Sequence, residues 1–303
     1  LSDVDAIVGR GGSCYPVASG VYVIDDKLIE DTAAGKGGME HPSNLGVQLA
    51  RELQKEFGGR IFMVDPPCVD ELCDMARMTG IDGVPRHTNM HALNLRGVAM
   101  HHAKHVLGKK YEDCCFIVCH IDGGISVSAH RYGRIIDCND AAGGDGPYTP
   151  TRIGSVSVAD ILEYVRDKDI DEVKKLCTRT GGFVSHFGTS SSDAVHKMAE
   201  EGDKKAIRVW DGMKYQIVKY IGAMAAVLGG RVDGILLTGG LLRFEDITQT
   251  IREQCEWIAP VSTYPGEVEH EALAAGALRV LRGEEEPKHY TGRPVWDGWH
   301  DED

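Results

Sequence analysis

The sequence predicts an α/β protein of two domains, each with a mixed sheet flanked by helices. Three observations carry this. Short apolar runs alternate with amphipathic ones in a β-α-β-α order, which calls for a sheet covered by helices. The coarse pattern occurs twice, with a break near Asp113. Two apolar strands end in paired glycines, at Asp122-Gly123-Gly124 and at Thr238-Gly239-Gly240. Adjacent glycines bare backbone N–H groups, so such turns can wrap an anion, although the first also serves as an ordinary hairpin turn. The cleft between two such halves is the default ligand site.

Taken in order, residues 5–9 read as a buried strand running into Arg10-Gly11-Gly12, and 17–24 as an edge strand. A helix is expected over 43–57, capped by Ser43 or Asn44, with Leu45, Leu49, Leu53 and Phe57 as its apolar face. A strand follows at 61–65, then helices over 69–78 and 89–107, the latter ending at Gly108. Residues 116–119 and 126–136 form strands around the first glycine pair. The Gly/Pro/Thr-rich loop 141–155 holds Arg152, and a loop this long inside a domain is usually functional. Helices are expected over 157–167 and 171–176, then a polar loop over 181–193 and a long helix over 203–228. A strand at 232–237 leads through the second glycine pair to a helix ending near 258, a strand at 261–264 and an Ala-rich helix over 267–281. Domains are expected over 1–113 and 114–266, with the helix at 267–282 able to pack back on the first. A polar, poorly ordered tail is expected over 283–303.

A chain of 303 residues with net charge −13 has ample material for a core and is a poor match for nucleic acid or an anionic membrane. No apolar run approaches the roughly 20 residues that span a bilayer. The nine cysteines lack a CxxC pair and read as reduced, mostly buried thiols of a cytoplasmic protein. His101 and His105 share a helix face, but no third ligand accompanies them, so a packed or solvated face is expected.

A set of motifs then carries a family. VGRGG (8–12), HPSNLG (41–46), VDPPCVDELCDMAR (64–77), HALN (91–94), HIDGGISVSAH (120–130), GPYTPTRIG (146–154), IGAMAAVLGGRVDGILLTGG (221–240) and YPGEVEHEALAAGALRVL (264–281) occur in order. Over residues 5–285 the chain resembles the butyrate kinases of the acetate kinase family, within the acetate and sugar kinase, heat-shock ATPase and actin superfamily. The resemblance implies the two-domain actin-like ATPase (ribonuclease H-like) fold. It also implies Mg2+ and ATP or ADP in the cleft, and reversible γ-phosphoryl transfer to a short-chain fatty acid. A homo-oligomer is expected.

A carboxylate is ionised at neutral pH and needs no general base. The obstacle is its repulsion from the triphosphate, so the site needs cations and a tight frame. By resemblance, Arg10 and Arg152 match the family's active-site arginines, and His120 its histidine at the transferring phosphoryl group. Asp65 and Glu269 match its acidic residues, whose role would be to hold Mg2+ through water. For Glu269, a first-turn helix acid is the competing role. Gly123 and Gly124 would cradle phosphate, and Thr238, Gly239 and Gly240 would line the adenosine.

Three departures from the family stand out. Asp122 replaces the first of three glycines after the histidine. Ser191-Ser192-Asp193 replaces an Asp-x-Arg in the loop beside the adenosine. Nothing in residues 1–20 resembles the family's first phosphate loop, of Asn-Pro-Gly-Ser-Thr-Ser type, so the chain reads as N-terminally truncated. In this form it is expected to express poorly and turn over little. The alternatives that stay open are acetate or propionate kinase, which differ by pocket volume, and a non-catalytic nucleotide-binding remnant. A sugar kinase is disfavoured, because a hydroxyl acceptor wants a general base.

Overall fold

A computed structural model describes residues 4–12, 14–38 and 42–299. His41 of the HPSNLG motif and the last four residues of the tail lie outside that set. The chain forms two compact units, one of residues 1–71, 91–97 and 268–303, the other of 72–90 and 98–267.

The first unit is built on a three-stranded sheet of order β1-β3-β2. Strand β1 (Ala6–Gly9) runs parallel to β3 (Arg60–Val64), and β2 (Val21–Val23) pairs antiparallel on the other edge. Helix α1 (Asp26–Ala33) is capped by the Asp25 carboxylate, which accepts from the Leu28 N–H. Strand alternation gives β3 two apolar faces. Ile61 and Met63 join Leu28, Val47 and Ala50 in one core, while Phe62 and Val64 join Leu93, Ala277 and Val280 in another.

Helix α2 (Leu45–Phe57) does not use the face expected of it. Val47 and Ala50 are buried, whereas Leu45, Leu49 and Leu53 are 56%, 58% and 42% exposed. Close approach decides this. A Cβ on Gly46 would lie 2.1 Å from the Arg10 carbonyl oxygen, and one on Gly9 would lie 2.4 Å from that of Gly46. The side of the helix with small residues therefore seats on β1, and the leucines turn away. The expected helix over 69–78 shrinks to α3 (Asp74–Arg77). Residues 69 and 70 are instead tied to Val17, through a parallel bridge and a bond from the Asp70 N–H to the Val17 carbonyl.

The tail is also ordered where poor order was expected. Lys288 exchanges backbone hydrogen bonds with Val21 and Val23, and Val295 N–H donates to the Pro16 carbonyl. Tyr290 is buried, with its hydroxyl donating to Asp31. Helix α11 (Glu269–Leu281) packs on all three strands of this sheet.

The second unit has a five-stranded sheet of order β6-β5-β4-β7-β8. Strands β4 (Cys115–Ile121), β7 (Gly234–Gly239) and β8 (Val261–Pro265) are parallel, while β5 (Ile125–Arg131) and β6 (Arg134–Cys138) continue from β4 as an antiparallel meander. The 126–136 strand is thus two strands. Tyr132 and Gly133, both at positive φ, make a two-residue hairpin between them. Helices α5 (Val158–Tyr164), α6 (Ile170–Thr178), α7 (Gly182–Phe187) and α8 (Ser192–Glu200) follow the long loop. Helix α7 occupies what reads as a polar loop, because buried Phe183 packs on Trp210. Helix α9 (Lys204–Val227) buries Trp210, Met213, Ile217, Ile221 and Met224 at three- and four-residue spacing. It lies along β5 and beside α8 and α10 (Glu245–Cys255).

The units do not part at Asp113. Residues 72–90 and the latter part of α4 (Ala92–His105) group with the second unit. The Cys73 N–H donates to the Ile136 carbonyl, Arg86 pairs with Asp137, and the His102 ring meets Phe116 edge-on. All nine cysteines are free, and seven of them are buried.

Candidate functional site

In the first unit, Arg10 follows β1 directly. Its Nη2 donates to Glu269 Oε1 at 2.8 Å, in a pair whose carboxylate is buried at the start of α11. Asp65 follows β3 at φ 38°, a left-handed conformation that costs an ordinary residue about 1 kcal/mol or more. Its surroundings hold it there. Asp65 Oδ1 accepts from the Gly20 N–H at 2.6 Å, Oδ2 accepts from Arg96 Nη1 at 3.1 Å, and the Asp65 N–H donates to the Gly20 carbonyl. Each acid proposed for Mg2+ is therefore already paired with an arginine. A carboxylate offers about four lone-pair sites, so room remains for water-mediated contact. Arg96 has no local signature in the sequence; it stands two residues beyond the HALN motif on α4.

In the second unit, the parallel strands deliver the glycine pairs side by side. His120, buried near the end of β4, is in register with Thr238 on β7. The Asp122 carboxylate joins the two turns: Oδ1 accepts from the Gly123 N–H and Oδ2 from the Gly240 N–H, both at 2.7 Å. Gly239 requires its φ of 106°, and a Cβ there would lie 2.3 Å from the Ile121 carbonyl oxygen. Thr238 is buried and its hydroxyl donates to the Gly266 carbonyl, so it anchors a loop.

The long loop brings Arg152 to the first turn. A Cβ on Gly124 would lie 2.6 Å from Arg152 Nη1. The Thr149 and Thr151 hydroxyls donate to the Gly123 carbonyl, and Arg152 Nη1 donates to the Ala141 carbonyl. Burial lowers the Arg152 pKa from its ordinary value, with Asp140 opposing. The reading from sequence also missed Glu267. Its Oε1 lies 3.9 Å from His120 Nε2, and donor atoms of His120, Asp122 and Glu267 fall within 4.8 Å of one another.

The second unit thus brings together His120, Gly123, Gly124, Arg152, Thr238, Gly239 and Gly240, while the first pairs Arg10 with Glu269 and fixes Asp65. The family and relatives that the chain matches show an ATP-dependent carboxylate kinase, and the solved structures it resembles show the actin-like ATPase fold. Acetate kinase from Porphyromonas gingivalis superposes with TM-score 0.79 at 21% identity, over 92% of this chain and 78% of that one. Acetate kinase from Entamoeba histolytica gives 0.78 at 15% identity, over 92% and 80%. The acetokinase family pattern matches residues 84–262. Butyrate kinase 1 of Clostridium acetobutylicum is 43% identical over 292 residues, 96% of this chain and 82% of that protein. A probable butyrate kinase of Coprothermobacter proteolyticus is 42% identical over the same shares. The chain belongs to the acetokinase family.

Proposed function

We propose that the protein is a butyrate kinase, moving the γ-phosphoryl group of ATP to butyrate or a branched short-chain fatty acid to give the acyl phosphate and ADP. The choice of acid rests on the relatives named butyrate kinase at 42–43% identity over 96% of the chain. The phosphoryl chemistry rests on one observation, the Arg152 guanidinium packed where a Cβ on Gly124 would stand. That places a fixed, partly desolvated cation against the glycine turn, as a migrating anionic phosphoryl group requires.

Arg152 and the buried His120 steady the charge of the transferring group, and Gly123 and Gly124 cradle phosphate. Arg10 draws in the acid's carboxylate. Gly239 and Gly240 would line the adenosine, in a turn held by close approach to the Ile121 backbone and the Asp122 carboxylate. Asp65 and Glu269 would hold Mg2+ through water, and the ion would neutralise charge on the triphosphate. Free cysteines fit a reducing, cytoplasmic setting. A homo-oligomer belongs to the same proposal and is tested by light scattering.

The test of substrate is acyl hydroxamate formation with ATP, Mg2+ and acids of two to five carbons. Highest kcat/KM for butyrate or isobutyrate is expected; preference for acetate or propionate would overturn the choice of acid.

A further inference from the structure

The Ser191-Ser192-Asp193 segment places an acid where the family's loop carries an arginine. The structure supplies a guanidinium there from another element. Arg243 closes the turn after Gly240, and its Nη2 donates to Asp193 Oδ2 at 2.9 Å and its Nε to Oδ1 at 3.3 Å. Its Nη1 donates to the Gly240 carbonyl at 2.9 Å, and its Cζ lies 4.4 Å from the centre of the Phe244 ring. Asp193 stands in the first turn of α8, which Ser191 caps through the Ala194 N–H. The hydrogen bond from Arg243 holds the Asp193 carboxyl below its ordinary pKa, so the pair persists at neutral pH.

An exposed ion pair contributes little to stability, about 0–1 kcal/mol. Stability is therefore a weak reason for this arrangement, and orientation is a better one. The guanidinium is fixed by a carboxylate in its plane, by a carbonyl and by an aromatic ring on one face. The side chain remains 48% exposed. A planar cation backed by an aromatic ring and open to solvent is a platform for a second π system. The carbonyl it grips belongs to the glycine pair assigned to the adenosine.

We infer that Arg243, oriented by Asp193, is the cation on which the adenine ring of the nucleotide stacks. This rests on the kinase reading of the Gly239–Gly240 loop. Asp193 is a positioning residue that acts through Arg243. A lysine at 243 would keep the charge and lose the plane.

The experiment measures ADP and inorganic tripolyphosphate binding by calorimetry to the wild type, Arg243→Ala, Arg243→Lys and Asp193→Asn. If the wild type binds neither, the kinase reading itself fails. If it binds both, Arg243→Ala should weaken ADP by about 10- to 100-fold, the scale of one base–π stack. Tripolyphosphate affinity should hold, since the platform meets the base and not the phosphates. Arg243→Lys should fail to restore ADP affinity, and Asp193→Asn should fall between it and the wild type. ADP affinity unchanged in both Arg243 variants would overturn the inference. So would equal loss of ADP and tripolyphosphate, which would mark a phosphate contact or a folding defect.

Discussion

Arg152 is half-buried and Asp65 fully buried, and their surroundings differ. Arg152 has its backbone N–H on the Thr149 hydroxyl and its side chain on a carbonyl and a glycine, without a buried carboxylate partner among the bonds described. In the proposed mechanism its charge meets the arriving phosphoryl group. Arg152→Ala is expected to lower kcat by about two to four decades. Stability should change by no more than about 2 kcal/mol, the worth of a hydrogen bond to a charged group. A large fall in melting temperature with ordinary specific activity would make Arg152 structural. Asp65 already has its partners, Arg96 and the Gly20 N–H, at 4% side-chain exposure. Asp65→Ala leaves the buried Arg96 short of its counter-charge, and should cost about 3–5 kcal/mol in urea unfolding. A change below about 1 kcal/mol would show that the pair does not hold the turn after β3. Arg10, His120 and Arg152 can be named as candidates from the sequence because they sit within motifs. Arg96, Glu267 and Arg243 cannot be, since a single charged residue on a helix or loop gains its role from a partner that is distant in sequence or on another element.

The elements read best where burial was uniform. Strands β4 and β7 are apolar but for His120 and Thr238 near their ends and are buried along their whole length, and their pattern admits little else. Helix α2 departs from its sequence pattern because leucine periodicity does not mark its buried face. Contact with β1 is instead set by Gly46 and Ala50, which allow backbones to approach in a way no leucine would. This predicts an inverted mutational pattern. Leu49→Gln, at a 58% exposed position, should shift stability by about 0.5 kcal/mol or less. Ala50→Leu, at a position 1% exposed, should cost about 1–3 kcal/mol through overpacking. Thermal melts of the two variants check it, and the opposite ranking would restore the leucine face.

At the scale of the whole molecule, the two sheets and the glycine turns of the second one were legible, while the assignment of segments to units was not. Local periodicity says nothing of where 72–90 or the tail will pack. Both are placed by distant partners, Ile136 and Asp137 for the one, Val21, Val23 and Asp31 for the other. Phosphoryl transfer to a carboxylate is tested most directly by phosphorus NMR of the purified protein with Mg2+, ATP and butyrate. An acyl phosphate resonance should grow in step with ADP, disappear without butyrate, and have no counterpart when glycerol or glucose replaces the acid. ADP and inorganic phosphate forming with no acyl phosphate, or phosphorylation of a sugar at an equal rate, would contradict it.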